Sequence, residues 1–162
     1  MSKLKEDLAR LGTPTLGCAL KWYFLPRGEC FPYNVWFRAL QAVRRHAITK
    51  FTLGPLIYLI YRHFEFKYGI HANANIEIGG GLRVVHGPCN LNAAAIGRGF
   101  TVYSGVTIGV KDGQVPTIGD NVSVYSNAVV CGGITLGDGA TIGALTYVDK
   151  NVAAGEKRIG RT

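Results

Sequence analysis

From Ala72 almost to the end of the chain an aliphatic or small residue returns at every sixth position, a spacing that neither an α-helix nor a simple β-strand produces. The starts are Ala72, Ile78, Val84, Asn90, Ile96, Val102 and Ile108, then, after four extra residues, Ile118, Val124, Val130, Leu136, Ile142, Val148 and Ala154. Eleven of these fourteen are Ile, Val or Leu, whereas 40 such residues in a chain of 162 would place three or four there by chance. Glycine follows at Gly79, Gly97, Gly109, Gly119, Gly137 and Gly143, and the fifth place is mostly small or apolar: Ile76, Leu82, Ala94, Val106, Ala128, Ile134, Ala140 and Val152. A period of six is the hexapeptide repeat of a parallel β-helix. Each hexad is a short strand and a turn, its first side chain points into the solenoid core, and glycine relaxes the corner.

Residues 1–68 have a different character, and the domain division expected is a helical cap or docking segment over 1–68 and a β-helix over 69–162. Val35 to Ile48 and Leu53 to Phe66 carry apolar residues at helical spacing, while glycines and prolines break the preceding stretch into short pieces. Such a segment would cover the open first coil, whose strand edges are otherwise unpaired. It also mixes aromatic, apolar and basic residues: Phe31, Tyr33, Trp36 and Phe37 near Arg38, Arg44 and Arg45, then Phe51, Leu56, Ile57, Leu59 and Ile60 before Arg62 and Lys67. That mixture suits peripheral contact with a membrane surface as well as packing on the solenoid.

Composition narrows the function classes. The net charge of +8 favours an anionic partner, such as a phosphorylated cofactor or an anionic lipid surface. Nucleic acid is disfavoured, because the basic residues are dispersed and no recognition motif accompanies them. The first eleven residues are charged and amphipathic, unlike a signal peptide, and the longest apolar run, Leu53 to Tyr61, falls far short of a membrane span, so a cytoplasmic location is expected. Cys18, Cys30, Cys89 and Cys131 form no CxxC pair and are read as free thiols. No metal site is expected: of the four histidines, His46 and His63 fall on the cap, leaving only His71 and His86 in the repeat.

The candidate chemistry lies on the solenoid. Residues one coil of three hexads apart stack, which places His86 between Tyr68 and Ser104, with Ser126 continuing the column beyond the ejected loop GVKDGQVPT. His86 occupies the third place of its hexad and should point outward near a corner. There an imidazole is a natural general base for a hydroxyl at neutral pH.

The run Ile78-Gly-Gly-Gly-Leu-Arg-Val-Val-His86, then Ser104-Gly-Val-Thr-Ile-Gly109, Val115-Pro-Thr-Ile-Gly-Asp120 and Ile134-Thr-Leu-Gly-Asp-Gly-Ala-Thr-Ile-Gly-Ala144 resembles the serine acetyltransferase branch of the hexapeptide acyltransferases. The segment Phe64-Glu-Phe-Lys-Tyr-Gly-Ile70, with the apolar helices before it, looks more like relatives from polysaccharide gene clusters. The resemblance implies a left-handed β-helix that forms a homotrimer with acetyl-CoA between subunits. It also implies His86 as general base, and backbone amides at Val110 and Ser126 holding the carbonyl. Ser104 belongs to the same cofactor-side column, and Lys111, Lys157, Arg158 and Arg161 are candidates for the cofactor's phosphates.

Departures from that family shape the expected acceptor. Val85 stands where an Asp precedes the catalytic His, and Gln114-Val115 where an Arg-His pair precedes Pro116, so charged partners for a zwitterionic amino acid are missing. The place of the acid that orients the base holds His71, which is therefore a candidate catalytic companion. The expectation is an O-acetyltransferase acting on a sugar hydroxyl in surface polysaccharide or glycan assembly. A small acceptor such as serine, and a non-catalytic scaffold, are the alternatives. Zinc catalysis is set aside because two repeat histidines cannot supply three ligands.

Overall fold

The computed structural model describes residues 2–25, 28–73 and 75–160. Five helices come first: α1 (Lys3–Ala9), α2 (Leu16–Phe24), α3 (Phe31–Arg44), α4 (Ala47–Thr52) and α5 (Gly54–Tyr68). The Ser2 and Thr15 hydroxyls accept from Lys5 and Cys18 N–H groups and start α1 and α2. Gly69, at φ 65°, ends α5 in the left-handed conformation that suits a residue without Cβ. The two helices expected from spacing are present. The first starts and ends earlier: the Thr49 hydroxyl donates to the Val43 and His46 carbonyls at 3.0 and 3.1 Å, where a separate α4 begins.

Among the described residues fourteen short strands follow. They are β1 (Ile70–Ala72), β2 (Glu77–Ile78), β3 (Arg83–Val85), β4 (Cys89–Leu91), β5 (Ala95–Ile96), β6 (Thr101–Tyr103), β7 (Thr107–Gly109), β8 (Thr117–Ile118), β9 (Ser123–Val124), β10 (Val129–Cys131), β11 (Thr135–Leu136), β12 (Thr141–Ile142), β13 (Tyr147–Val148) and β14 (Lys157–Arg158). Every third strand pairs in parallel, except that β12 pairs with β14, giving three sheets: β1-β4-β7-β10-β13, β2-β5-β8-β11 and β3-β6-β9-β12-β14. This is the parallel β-solenoid that the period of six predicts, consistent with a left-handed β-helix.

Twelve of the fourteen hexad starts are buried and form one apolar column with Phe100 and Val122. Asn90 and Ala154 are exposed instead. β4 pairs His71 with Asn90 on one side and Asn90 with Thr107 on the other, spacings of 19 and 17 rather than 18, so Leu91 takes the core position. The last coil is two residues short: Leu136 bridges Val152, and Val152 is buried in place of Ala154. Glycine serves close approach as well as turning. A Cβ on Gly97 would lie 2.6 Å from the carbonyl carbon of Gly119 on the next coil, and Gly97 would bear the same way on Gly79. The ejected loop is a hairpin in which Lys111 and Gln114 exchange backbone hydrogen bonds of 3.0 Å, with Asp112 and Gly113 at φ 54° and 74°, a type I′ geometry.

The helices close the first coil through side chains. Asp7 and Arg38 form a buried pair at 2.9 Å. Asp7 Oδ1 accepts from the Gly81 and Leu82 N–H groups, both at 2.8 Å, and Arg38 donates to the carbonyls of Ile78 and Gly79. Asn34, Gln41 and Tyr61 donate to the carbonyls of Leu82, Ile76 and Ala72 at 2.9, 3.0 and 3.1 Å. The unpaired edge of the first coil is thus satisfied group by group. Phe31, Tyr33 and Phe37 are 3%, 0% and 0% exposed, so they belong to the core and not to the surface mixture expected from sequence.

Candidate active site

His86 sits where the chain leaves β3 and turns toward β4. Its φ is 58°; on later coils the left-handed residue at this corner is Gly105, Asn127 and Leu145, one place further along, so His86 takes the turn one residue early. The imidazole is exposed, and the cap holds the backbone beneath it. The His86 N–H donates to the Gly28 carbonyl at 2.7 Å, Val85 bridges Glu29 in antiparallel fashion, and Cys30 N–H donates to the Val84 carbonyl at 3.0 Å. Gly28 has φ 85°, a backbone conformation that favours glycine, and a Cβ there would displace the imidazole from its present position. In the sequence Gly28 reads only as one of the glycines and prolines that break this region into short pieces, with no signal that it meets His86.

The column expected at this edge is present in part. The Asn127 N–H donates to the Ser104 carbonyl and the Leu145 N–H to the Ser126 carbonyl, both at 3.0 Å, so Ser104 and Ser126 mark the same corner one and two coils beyond His86. Tyr68 does not begin the column. It ends α5, and its carbonyl lies against Gly87. Tyr103 and Tyr125 stack at 4.8 Å just before this corner. Arg83, on β3 before this corner, pairs at 2.6 Å with Glu29, the bridge partner of Val85.

His71 lies on β1, opposite Asn90 of β4. Its Nδ1 stands 3.6 Å from Oε1 of the buried Glu65, whose other oxygen accepts from Arg62 at 2.6 Å. The residue expected to replace an orienting acid therefore has an acid of its own, on α5. His71 lines two small hollows, one of about 300 Å³ with Glu65, Asn73, Asn90 and Asn92 and one of about 230 Å³ with Pro88, Gly105 and Thr107. The second opens within two residues of both His86 and Ser104.

Val110 and Lys111 follow β7 and lie at the far edge of the β1 sheet from Ser104. Six residues of extended chain separate Ser104 from Val110, roughly 20 Å. Within one subunit, the Val110 and Ser126 amides therefore do not grip one carbonyl. Among the described residues no hydrogen bond occupies either N–H, so both remain donors. Lys111 is tied down: its Nζ meets Asp149 at 2.6 Å, which raises the ammonium's pKa and lowers that of the carboxyl. Arg158 pairs with Glu156 at 2.6 Å, Lys157 is exposed, and Arg161 lies outside the described residues. All four cysteines are free, and burial pushes the Cys30 and Cys89 thiols up to about 11 and about 12.

Comparison with known proteins adds the chemistry of relatives. Residues 116–150 match the family described as bacterial transferase hexapeptide (six repeats). The chain is 32% identical over 137 residues to a serine acetyltransferase of Staphylococcus xylosus, covering 76% of this chain and 62% of that protein. It is 35% identical over 102 residues to one of Helicobacter pylori, covering 59% and 60%. The matched part thus spans about three fifths of these relatives. Soybean serine acetyltransferase complexed with serine superposes with a TM-score of 0.75 at 21% identity, over 96% of this chain and 64% of that one. The Neisseria gonorrhoeae serine acetyltransferase in complex with serine gives 0.74 at 21%, over 96% and 64%. At such identities the two structures speak for the fold. The relatives' names overturn the expected sugar acceptor and polysaccharide setting, which rested on the helical segment and on lost charge partners; the small-acceptor alternative is the one they favour. Residues 116–150 of the solenoid are thus similar to the bacterial transferase hexapeptide family, and the chain as a whole shares the fold of the serine acetyltransferases.

Proposed function

We propose that this chain is an acetyl-CoA-dependent O-acetyltransferase for a small hydroxyl acceptor of the serine class. The observation that carries this reading is His86: an exposed imidazole, backbone-anchored at a solenoid corner, with no side-chain competitor for its proton-accepting nitrogen among the described residues. The relatives' activity supports the donor and the acceptor class. In the reaction an imidazole nitrogen takes the acceptor's hydroxyl proton as the oxygen attacks the thioester carbonyl. The C–S bond then breaks, and coenzyme A leaves as its thiol with that proton.

The free N–H groups of Val110 and Ser126 would stabilise the oxyanion. Because they lie at opposite edges of the β1 sheet, the site is complete only where one subunit's His86 corner faces a neighbour's Val110 edge, which supports a homotrimer with acetyl-CoA between subunits. The acceptor's charged ends, without an Asp at Val85, would find their nearest complement in the Glu29–Arg83 pair. Glu65 and His71, beside the same corner, are a second proton-transfer pair.

The test is a coenzyme A release assay with L-serine, with glycerol and glucosamine as controls, on wild type and Arg83→Gln. Turnover with serine, and a KM for serine raised at least about tenfold in the variant with kcat less affected, supports the reading. No turnover above acetyl-CoA hydrolysis with serine overturns it.

A further inference from the structure

The α4–α5 face carries a surface that the proposed chemistry does not use. Helix α5 is apolar on both sides. Ile57, Tyr61, Phe64 and Tyr68 turn inward, while Leu56, Leu59 and Phe66, spaced three and seven apart along the opposite side, are 59%, 66% and 65% exposed. Ile48, Phe51 and Leu53, on and just after α4, extend this outer face at 80%, 78% and 52%. A helix facing water normally sheds its apolar residues from the outer face; one that keeps them on both sides has two apolar surroundings.

The charge around the face selects its partner. From Cys30 to Phe64 the chain holds no Asp or Glu, but holds Arg38, Arg44, Arg45, Lys50 and Arg62. Arg38 is consumed inside the cap by Asp7. Arg44, Arg45, Lys50 and Lys67 are exposed, Lys50 sits 5.8 Å from the Phe51 ring, and Arg62 sits 4.4 Å from the Phe66 ring. Cations laid along aromatic and aliphatic side chains place their charge at the rim of an apolar surface. A second copy of this chain meeting the face head-on would set one basic surface against another, since Glu65, between Arg62 and Lys67, is buried and already paired with Arg62.

We propose that the α4–α5 face docks on an anionic lipid surface, with Phe51, Leu56 and Leu59 entering the acyl boundary and Arg45, Lys50 and Lys67 meeting the headgroup phosphates, while Arg44 is held by Asn75 of the solenoid at 2.9 Å. Attachment is peripheral: among the described residues no helix is long and apolar enough to cross a membrane. Interfacial binding of this kind needs both terms, apolar insertion and charge, and it weakens as salt screens the second.

Vesicle flotation of the full chain tests it. The vesicles are neutral phosphatidylcholine alone, or phosphatidylcholine with about 30 mol % phosphatidylglycerol, at about 25 mM and about 0.5 M salt. The expected result is flotation with anionic vesicles at low salt, release at high salt, and no flotation with neutral vesicles. Phe51→Ser/Leu59→Ser and, separately, Arg45→Glu/Lys50→Glu should each weaken vesicle binding at least about tenfold. All four side chains are exposed, so circular dichroism and thermal midpoint should stay at wild-type values. Recovery of all protein in the soluble fraction at low salt overturns the proposal. So does binding indifferent to the apolar pair, which would make the contact purely electrostatic. Concentration-dependent association without vesicles that Phe51→Ser/Leu59→Ser abolishes would assign the face to a second copy instead.

Discussion

The helical cap and the solenoid are joined in one molecule but held together by different means. In the solenoid each coil repeats the last: parallel backbone bonds run from strand to strand, the hexad starts fill one apolar column, and glycines let successive corners approach. In the cap almost nothing repeats. Its helices are fixed by individual side chains, above all the Asp7–Arg38 pair, each matched to particular backbone groups of the first coil. A repeat distributes its stabilisation over many similar contacts, whereas a cap of this kind concentrates it in a few.

That contrast is sharpest at Arg38. Replacing it by Met leaves Asp7 buried with no counter-ion and frees the Ile78 and Gly79 carbonyls, which should cost about 3–5 kcal/mol. The expected signature in urea unfolding with helix- and strand-sensitive probes is loss of the cap ahead of the solenoid. Asp7→Leu/Arg38→Met should recover much of the loss, because no lone charge remains. Ile142→Ala, a deletion in the solenoid column, should cost about 2–4 kcal/mol and lower both probes together. If Arg38→Met instead unfolds both regions in one step, the cap and the repeat form one cooperative unit.

Thiol chemistry sharpens the comparison at a finer scale. The burial that raises the Cys30 and Cys89 thiols to about 11 and about 12 leaves them protonated and shielded at neutral pH, so in the native state a maleimide should modify Cys18 on α2 well before either. Labelling of Cys30 at the Cys18 rate would show that the α2–α3 connection opens readily. The smallest effect is expected at the ejected hairpin. Lys111 lowers the Asp149 carboxyl, so this pair's stabilisation is present above the ordinary Asp value of 3.8 and fades as pH falls through the lowered one. The same pair raises the Lys111 ammonium, so its contribution also holds below that group's ordinary 10.5 and fades as pH rises beyond it. Lys111→Met should therefore lower Tm slightly at neutral pH, with the difference vanishing in strong acid.

The two regions also differed in what their sequences disclosed. The solenoid was legible because six-residue periodicity is written at every coil, and twelve of fourteen core starts follow from it. It failed at Asn90 and Ala154, where a coil gains or loses residues and the count slips while the backbone pairing does not. The cap was legible only as two apolar helices. No local pattern joins Asp7 to Arg38 or Glu65 to His71, since each pair is made by folding. His86, Ser104 and Ser126 were placed by the period, whereas Gly28, which packs beside the imidazole, was not. The expected sugar acceptor rested on charge partners lost at Val85 and Gln114, read locally, whereas the Glu29–Arg83 pair joins a cap residue to a β3 residue and no local pattern shows it.

The central claim is that acetyl transfer takes place at the His86 corner. The most direct measurement compares coenzyme A release from acetyl-CoA with L-serine by wild type and by His86→Asn, a substitution that keeps a residue tolerant of the left-handed backbone. The expected result is a kcat lower by about 10²- to 10⁴-fold in the variant, with thermal midpoint and oligomeric state unchanged. A variant that retains kcat to within about tenfold of wild type would contradict the claim and take the chemistry away from His86.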